Sequence, residues 1–175
     1  MKTLVDQLSQ YADYHRDGRN ILTHFFGVPM ILLAVVIVLS RPAWVLGELG
    51  FVLSPAVIAA LAASVYYMLL DVRYGIALAV VLGVMLAVGV WLAQQTPVVW
   101  LGWGLGFFVV GWIIQFIGHY WEGRKPAFMD DIVGLLIGPL FVLAEIGFVL
   151  GLRKDVQLAI EARSGPVRSA AQTVA

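Results

Sequence analysis

The chain has 175 residues, 61% of them apolar and 13% charged, with a mean hydropathy of +0.91. Globular proteins run at about 45–50% apolar and about 25% charged, so this composition excludes a disordered chain and an ordinary water-soluble globule and points to an integral membrane protein. Eleven Lys and Arg balance eleven Asp and Glu, and cysteine is absent, which leaves no basic field to draw nucleic acid and no thiolate to ligate a metal or act as nucleophile.

Residues 1–20 are polar and hold no apolar h-region, so they do not read as a cleavable signal peptide, and Lys2 stands where N-myristoylation requires glycine. Between Ile21 and Trp121 there are only four charges, Arg41, Glu48, Asp71 and Arg73; the other eighteen lie outside. A spanning helix needs roughly 20 apolar residues. Spans are predicted over Ile21–Leu39, Val52–Leu70 (with Pro55 in its first turn), Ile76–Ala93 and Val98–Trp121. Ser40-Arg41-Pro42, Asp71-Val72-Arg73 and Gln94-Gln95-Thr96-Pro97 break the chain between them. Trp44–Phe51, with Glu48, reads as an interfacial segment. Gly102 and Gly106 either let helices pack closely or simply belong to a Gly-rich helix.

A fifth apolar run, Ile132–Leu150, contains Gly138-Pro139 and then Glu145. It either spans with a kink or re-enters as two half-helices, and the cations separate the two readings. With the N-terminus in the cytoplasm, Lys2, Arg16, Arg19, Arg73, Arg124 and Lys125 lie inside and Arg41 outside. Arg153, Lys154, Arg163 and Arg168 then make the split six to five if the run spans and ten to one if it re-enters. The expected fold is an all-α integral membrane protein with about four transmembrane helices, a re-entrant or kinked fifth apolar segment and both termini cytoplasmic. It reads as a single transmembrane domain over 1–163, followed by a mobile tail over 164–175. Glu145, a carboxylate at membrane depth, is a functional candidate by default.

His15, His24 and His119 are the only histidines. Four crossings return the chain to its starting side, which puts all three at one membrane face. His119 and Glu122 are three apart and share a helix face, the spacing at which a histidine and a carboxylate ligate one ion in helical bundles. His15 and His24, nine apart, would lie on opposite faces of one straight helix. A helix end at Gly18 and an N-cap at Asn20 supply a break that aims both rings at one point. Histidines with a carboxylate and no cysteine suit Fe(2+) with open positions for O2 and substrate, and zinc also fits. Asp13, Asp17 and Asp130 are alternative carboxylates; Glu122 read alone is a surface charge beside Arg124 or Lys125. Those two cations either meet a substrate carboxylate or only satisfy the positive-inside rule. Tyr11, Tyr14, Tyr120 and Trp121 read as interfacial belt residues.

The stretch His15-Arg16-Asp17-Gly18-Arg19-Asn20-Ile21-Leu22-Thr23-His24-Phe25-Phe26-Gly27-Val28-Pro29 resembles the N-terminal signature of the MPO-type 2-hydroxy fatty acid dioxygenases, roughly H, N-x-x-x-H and G-x-P. Gln115-Phe116-Ile117-Gly118-His119-Tyr120-Trp121-Glu122-Gly123-Arg124-Lys125-Pro126-Ala127 is similar to that family's second signature, Q-x-x-G-H, a glutamate and P-A. With the spans around them the resemblance extends over roughly positions 5–150. It implies an Fe(2+)-dependent dioxygenase of fatty-acid α-oxidation that takes a 2-hydroxy fatty acid and O2 to an acid one carbon shorter. His15, His24 and His119 are then the catalytic metal ligands, with Glu122 as a further ligand. The implied setting is the endoplasmic reticulum or a bacterial inner membrane, with the active site on the cytoplasmic side, membrane lipid around it and no nucleic-acid partner.

Three histidines are too few for a membrane di-iron hydroxylase. Asp17-Gly18 lacks the rest of a CDP-alcohol phosphotransferase motif, and no G-x-S motif lies in a span to make an intramembrane serine protease. The alternative from another class is a non-enzymatic small membrane protein that binds a lipid or a partner.

Overall fold

A Thr-x-x-Asp pattern opens the first helix. Thr3 Oγ1 accepts the Asp6 amide at 3.2 Å and Asp6 Oδ2 accepts the Thr3 amide at 2.9 Å, a reciprocal capping box. The structure, a computed structural model, describes residues 2–46, 51–131 and 133–169. In chain order it has α1 (Leu4–Ala12), α2 (Gly18–Ser40), β1 (Trp44–Leu46), β2 (Phe51–Leu53), α3 (Pro55–Leu70), α4 (Val72–Ala93) and α5 (Pro97–Glu122). A 3-10 turn (Ala127–Met129), α6 (Val133–Val149) and α7 (Lys154–Ser164) follow. The chain packs as two compact units, residues 30–110 and residues 1–29 with 111–175.

In the unit of residues 30–110, α3 and α4 form a tight antiparallel pair. Asp71 is the only residue between them; its Oδ1 accepts the amides of Arg73 at 2.9 Å and Tyr74 at 3.2 Å and so caps α4. Ala34, Val36, Ile37, Ala60, Leu78 and Leu82 are buried, whereas Leu61, Val65, Leu69, Val80, Val84 and Trp91 point outward. An apolar outer surface on an apolar helix suits a hydrocarbon solvent. Trp100 Nε1 donates to the Ile37 carbonyl at 2.8 Å, and Arg41 lies over the Trp100 ring at 4.6 Å.

Among the described residues, three single helices, α2, α4 and α5, are long and apolar enough to cross a membrane. The second predicted span is shorter than expected. Ser54 caps α3 and Pro55 occupies its first position, leaving 16 helical residues, while Val52 belongs to β2. The segment expected at the interface begins and ends in an antiparallel ladder, Trp44 opposite Leu53 and Leu46 opposite Phe51; Glu48 lies outside the described residues.

The unit of residues 1–29 and 111–175 is built around α6. Sequence reasoning allows a break at Gly138-Pro139, but α6 runs unbroken through it. Pro139 removes one ladder bond without ending the helix. The bend comes later: α6 and α7 meet at 113°. Gly151, at φ +75°, takes the left-handed position that closes α6, and Leu152 N–H reaches back to the Gly147 carbonyl at 2.8 Å. Ile137, Leu140, Phe141, Val142 and Ala144 of α6 are buried, and α1 packs against both α6 and α7. Taken together, α6 and α7 are long and apolar enough for a broken span or a re-entrant loop, with the bend after α6 and not at Gly138-Pro139. From the stretch expected as a mobile tail, Ser164 Oγ donates to the Ser9 carbonyl at 3.0 Å.

Candidate metal centre

Three helix ends bring the histidines together. α1 stops at Ala12, and residues 13–17 turn before α2 starts at Gly18. The break falls one step earlier than the sequence suggests: Asp17 caps α2, its Oδ1 accepting the Arg19 amide at 2.8 Å, and Gly18 and Asn20 are already helical. His15 lies in the turn, His24 in α2 and His119 in the last turn of α5. Gly123, at φ +70°, ends α5 directly after Glu122 and returns its amide to the His119 carbonyl at 3.1 Å.

All three rings are buried. One nitrogen from each lies within 4.8 Å of the other two. The ring centroids are 4.3 Å (His15–His24), 4.9 Å (His15–His119) and 5.2 Å (His24–His119) apart, with the planes at 78°, 69° and 82°. Tyr11 stacks on His15 at 4.2 Å and 2°, and Phe141 closes against Tyr11 at 4.9 Å.

The tautomers follow from the partners. His15 Nδ1 lies 2.7 Å from the Tyr11 carbonyl and His24 Nδ1 lies 2.8 Å from the Asn20 carbonyl. A carbonyl only accepts, so each Nδ1 carries the hydrogen and each Nε2 is a bare lone pair. Yet those two Nε2 atoms face each other at 2.9 Å. Burial, and then the neighbouring His24, holds the His15 imidazole well below the usual histidine range, which opposes settling the repulsion with a proton. His119 Nδ1 is also buried, with no hydrogen-bond partner of ordinary geometry among the described residues. Converging neutral nitrogens with outward Nδ1–H groups fixed by carbonyls are the donor set of a transition-metal site. His15, His24 and His119 can therefore hold one metal ion.

Glu122 does not join this cluster among the described residues. Its buried carboxylate accepts from the Arg16 amide at 3.1 Å, the Asp17 amide at 2.8 Å, Asn20 Nδ2 at 3.1 Å and the Arg168 guanidinium at 2.6 Å. The residue read as a ligand thus pins the turn that presents His15. Asp17 binds Arg19, which itself lies over Trp121 at 5.5 Å. Arg124 donates to the Asp13 carbonyl at 2.7 Å, and Lys125 pairs with Asp130 at 2.5 Å. Asp130 also accepts from Tyr14 Oη at 2.8 Å, and Lys125 and Tyr14 hold its carboxyl below the usual range. Asp13, Asp17 and Asp130 are likewise outside the histidine cluster.

Three groups near the centre escape sequence reasoning. Tyr11 packs on the His15 ring and is buried, where sequence reasoning reads a belt residue. Arg16 reaches across to Glu145 in a buried ion pair at 3.3 Å. Arg168 comes from beyond the last apolar run. A lone carboxylate in an apolar stretch is a signal for the second; no local pattern announces the third. Asp13, Arg16, Glu122, Arg124, Gly165 and Arg168 border a polar cleft of about 460 Å³ beside the turn.

Against known proteins, residues 1–150 match the family described as 2-hydroxy-palmitic acid dioxygenase Mpo1-like. A Saccharomyces cerevisiae protein, 2-hydroxy-palmitic acid dioxygenase MPO1, is 31% identical over 160 residues, covering 90% of this chain and 87% of the relative. No solved structure matches.

Proposed function

This chain belongs to the Mpo1-like family, and on that premise we propose that it is a membrane-bound, iron-dependent dioxygenase of 2-hydroxy fatty acids. The family description and the relative's name support the substrate class and the reaction type. The observation that carries the metal is the facing pair of bare Nε2 atoms of His15 and His24, with His119 beside them. His15, His24 and His119 would hold Fe(II), which when bound supplies Lewis acidity and one-electron chemistry with O2. Overall, a 2-hydroxy acid and O2 give an acid one carbon shorter, CO2 and water. The substrate provides all four electrons, so no added reductant is needed.

The protein's part is to position and to shield. The carbonyls of Tyr11 and Asn20 fix two imidazole tautomers, and Tyr11 and Phe141 wall the His15 ring with apolar surface. Burial excludes water from the histidine nitrogens. Arg124 and Lys125 stand at the end of α5, where a substrate carboxylate would meet cations. The count of Lys and Arg supports cytoplasmic termini with α2 to α5 as the crossings, which puts the centre at the cytoplasmic side of a bacterial inner membrane or of the endoplasmic reticulum.

The test is metal analysis of protein purified anaerobically in detergent, beside a His119→Ala variant. About one iron per chain, lost in the variant, with O2 uptake on adding 2-hydroxypalmitate, is the expected result. Iron retained without His119, or none after Fe(II) loading, would leave a lipid-binding protein as the better reading.

A further inference from the structure

We propose that the segment after α7, and Arg168 above all, is a positioning element of the metal centre. The proposal rests on the metal reading of the three histidines, and its foundation is a set of bonds across the chain. Arg168 N–H donates to the Arg16 carbonyl at 2.7 Å, and the Gly18 amide donates to the Arg168 carbonyl at 3.0 Å. Together they make a parallel bridge between Asp17 and Arg168. The Arg168 guanidinium then binds Glu122 Oε1 at 2.6 Å, while Arg16 Nη1 donates to the Gly165 carbonyl at 3.0 Å.

These contacts all converge on residues 16–18, directly after His15. That turn has little regular structure of its own: α1 has ended and α2 has only begun. Its main-chain groups need partners, and the strap supplies two of them. Glu122 supplies two more through the Arg16 and Asp17 amides. The Glu122 side chain is only 1% exposed, and a buried carboxylate requires charged or hydrogen-bonding compensation. Arg168 is the guanidinium that binds it. One residue thus clasps the turn twice, through its backbone and through Glu122. The family match ends at residue 150, so the strap lies outside that matched stretch.

Arg168 touches no histidine of the cluster; it acts through the turn. Its loss should leave the number of bound ions unchanged and loosen the grip on them. The experiment uses full-length protein in detergent, loaded with Co(II). Release to a chelator and the visible ligand-field spectrum are followed for wild type, Arg168→Ala, Arg168→Lys and a chain stopped after Ser164. Arg73→Ala, a charge loss in the other unit, is the control. Amide hydrogen exchange at residues 16–18 is measured on the metal-free proteins. The expected result is about tenfold faster Co(II) release and faster exchange for Arg168→Ala and the truncated chain, intermediate behaviour for Arg168→Lys, and no change for Arg73→Ala. Unchanged release with faster exchange would make the strap a clasp of the fold alone and overturn the proposal, as would no change in either. If wild type binds no Co(II), the metal reading fails and positioning of a metal centre falls with it; faster exchange would then leave only the clasp.

Discussion

Arg16 and Glu145 meet at 3.3 Å with 8% and 10% of their side chains exposed, tying the turn that carries His15 to α6. Arg16 also gives its Nε to the Ala12 and His15 carbonyls, so the turn itself holds the guanidinium in place. Glu145, which sequence reasoning marks as a functional candidate, is the counter-charge that makes this burial tolerable. Glu145→Ala should cost about 3 kcal/mol, the low end for a broken buried pair, because Glu122 also acts on Arg16. Glu145→Gln, which still accepts a hydrogen bond, should cost less. Chemical denaturation in detergent checks both.

Gly118 sets how closely α5 approaches α2. A Cβ there would overlap Thr23 Oγ1 and lie 2.5 Å from Asn20 Oδ1. Gly118→Ala should push His119 away from the other two rings and abolish metal retention, and Gly118→Ala with Thr23→Ala should recover part of it. Gly102→Ala, whose Cβ meets nothing, should retain metal fully and gain up to about 1 kcal/mol in helix propensity. Metal content after desalting separates the three variants.

Glu122→Gln distinguishes a ligand from a brace. The amide replaces one accepting oxygen with a donor that faces N–H groups. About a 10–100-fold loss of Co(II) affinity is expected, with the ligand-field spectrum of the loaded protein unchanged. His119→Ala should change the spectrum itself. A spectral change in Glu122→Gln would return the carboxylate to the coordination sphere.

Acid should loosen the start of the chain in a defined window. The Arg163 guanidinium, 2.6 Å away, and the Thr3 backbone amide hold the Asp6 carboxyl well below the usual carboxylate range. A depressed folded-state value means the contribution is present above the unfolded value of about 3.9 and is lost as pH falls through the folded one. Asp6→Asn should therefore lower Tm at pH 7, and the difference from wild type should shrink as pH drops below about 4. Thermal melts across that range decide it.

The sequence makes the candidate metal centre legible because histidine is rare in it, and His15 and His119 lie by helix ends that the breakers Gly18 and Gly123 mark to within a residue or so. It also marks α2, α4 and α5, because runs of apolar residues are visible whatever covers them. What it cannot separate is which apolar run faces lipid and which faces protein. Residues 133–149 are at least as apolar as α4, yet 137–142 of them are buried within their unit. Periodicity is silent when a helix is apolar all round. The role of Glu122 is equally hidden, since the spacing from His119 is the same for a ligand and for a brace, and its partners at residues 16–20 and 168 come from elsewhere in the chain.

The bridge between Asp17 and Arg168 joins residues separated by most of the chain. A polypeptide is made from its N-terminus, so His15 and His24 emerge early, His119 waits for α5, and the clasp on the turn waits for Arg168. A nascent chain halfway through synthesis carries two of the three histidines and an unbraced loop. The three-histidine cluster is thereby completed only once α5 has been made, and the clasp on its turn only near the end of the chain.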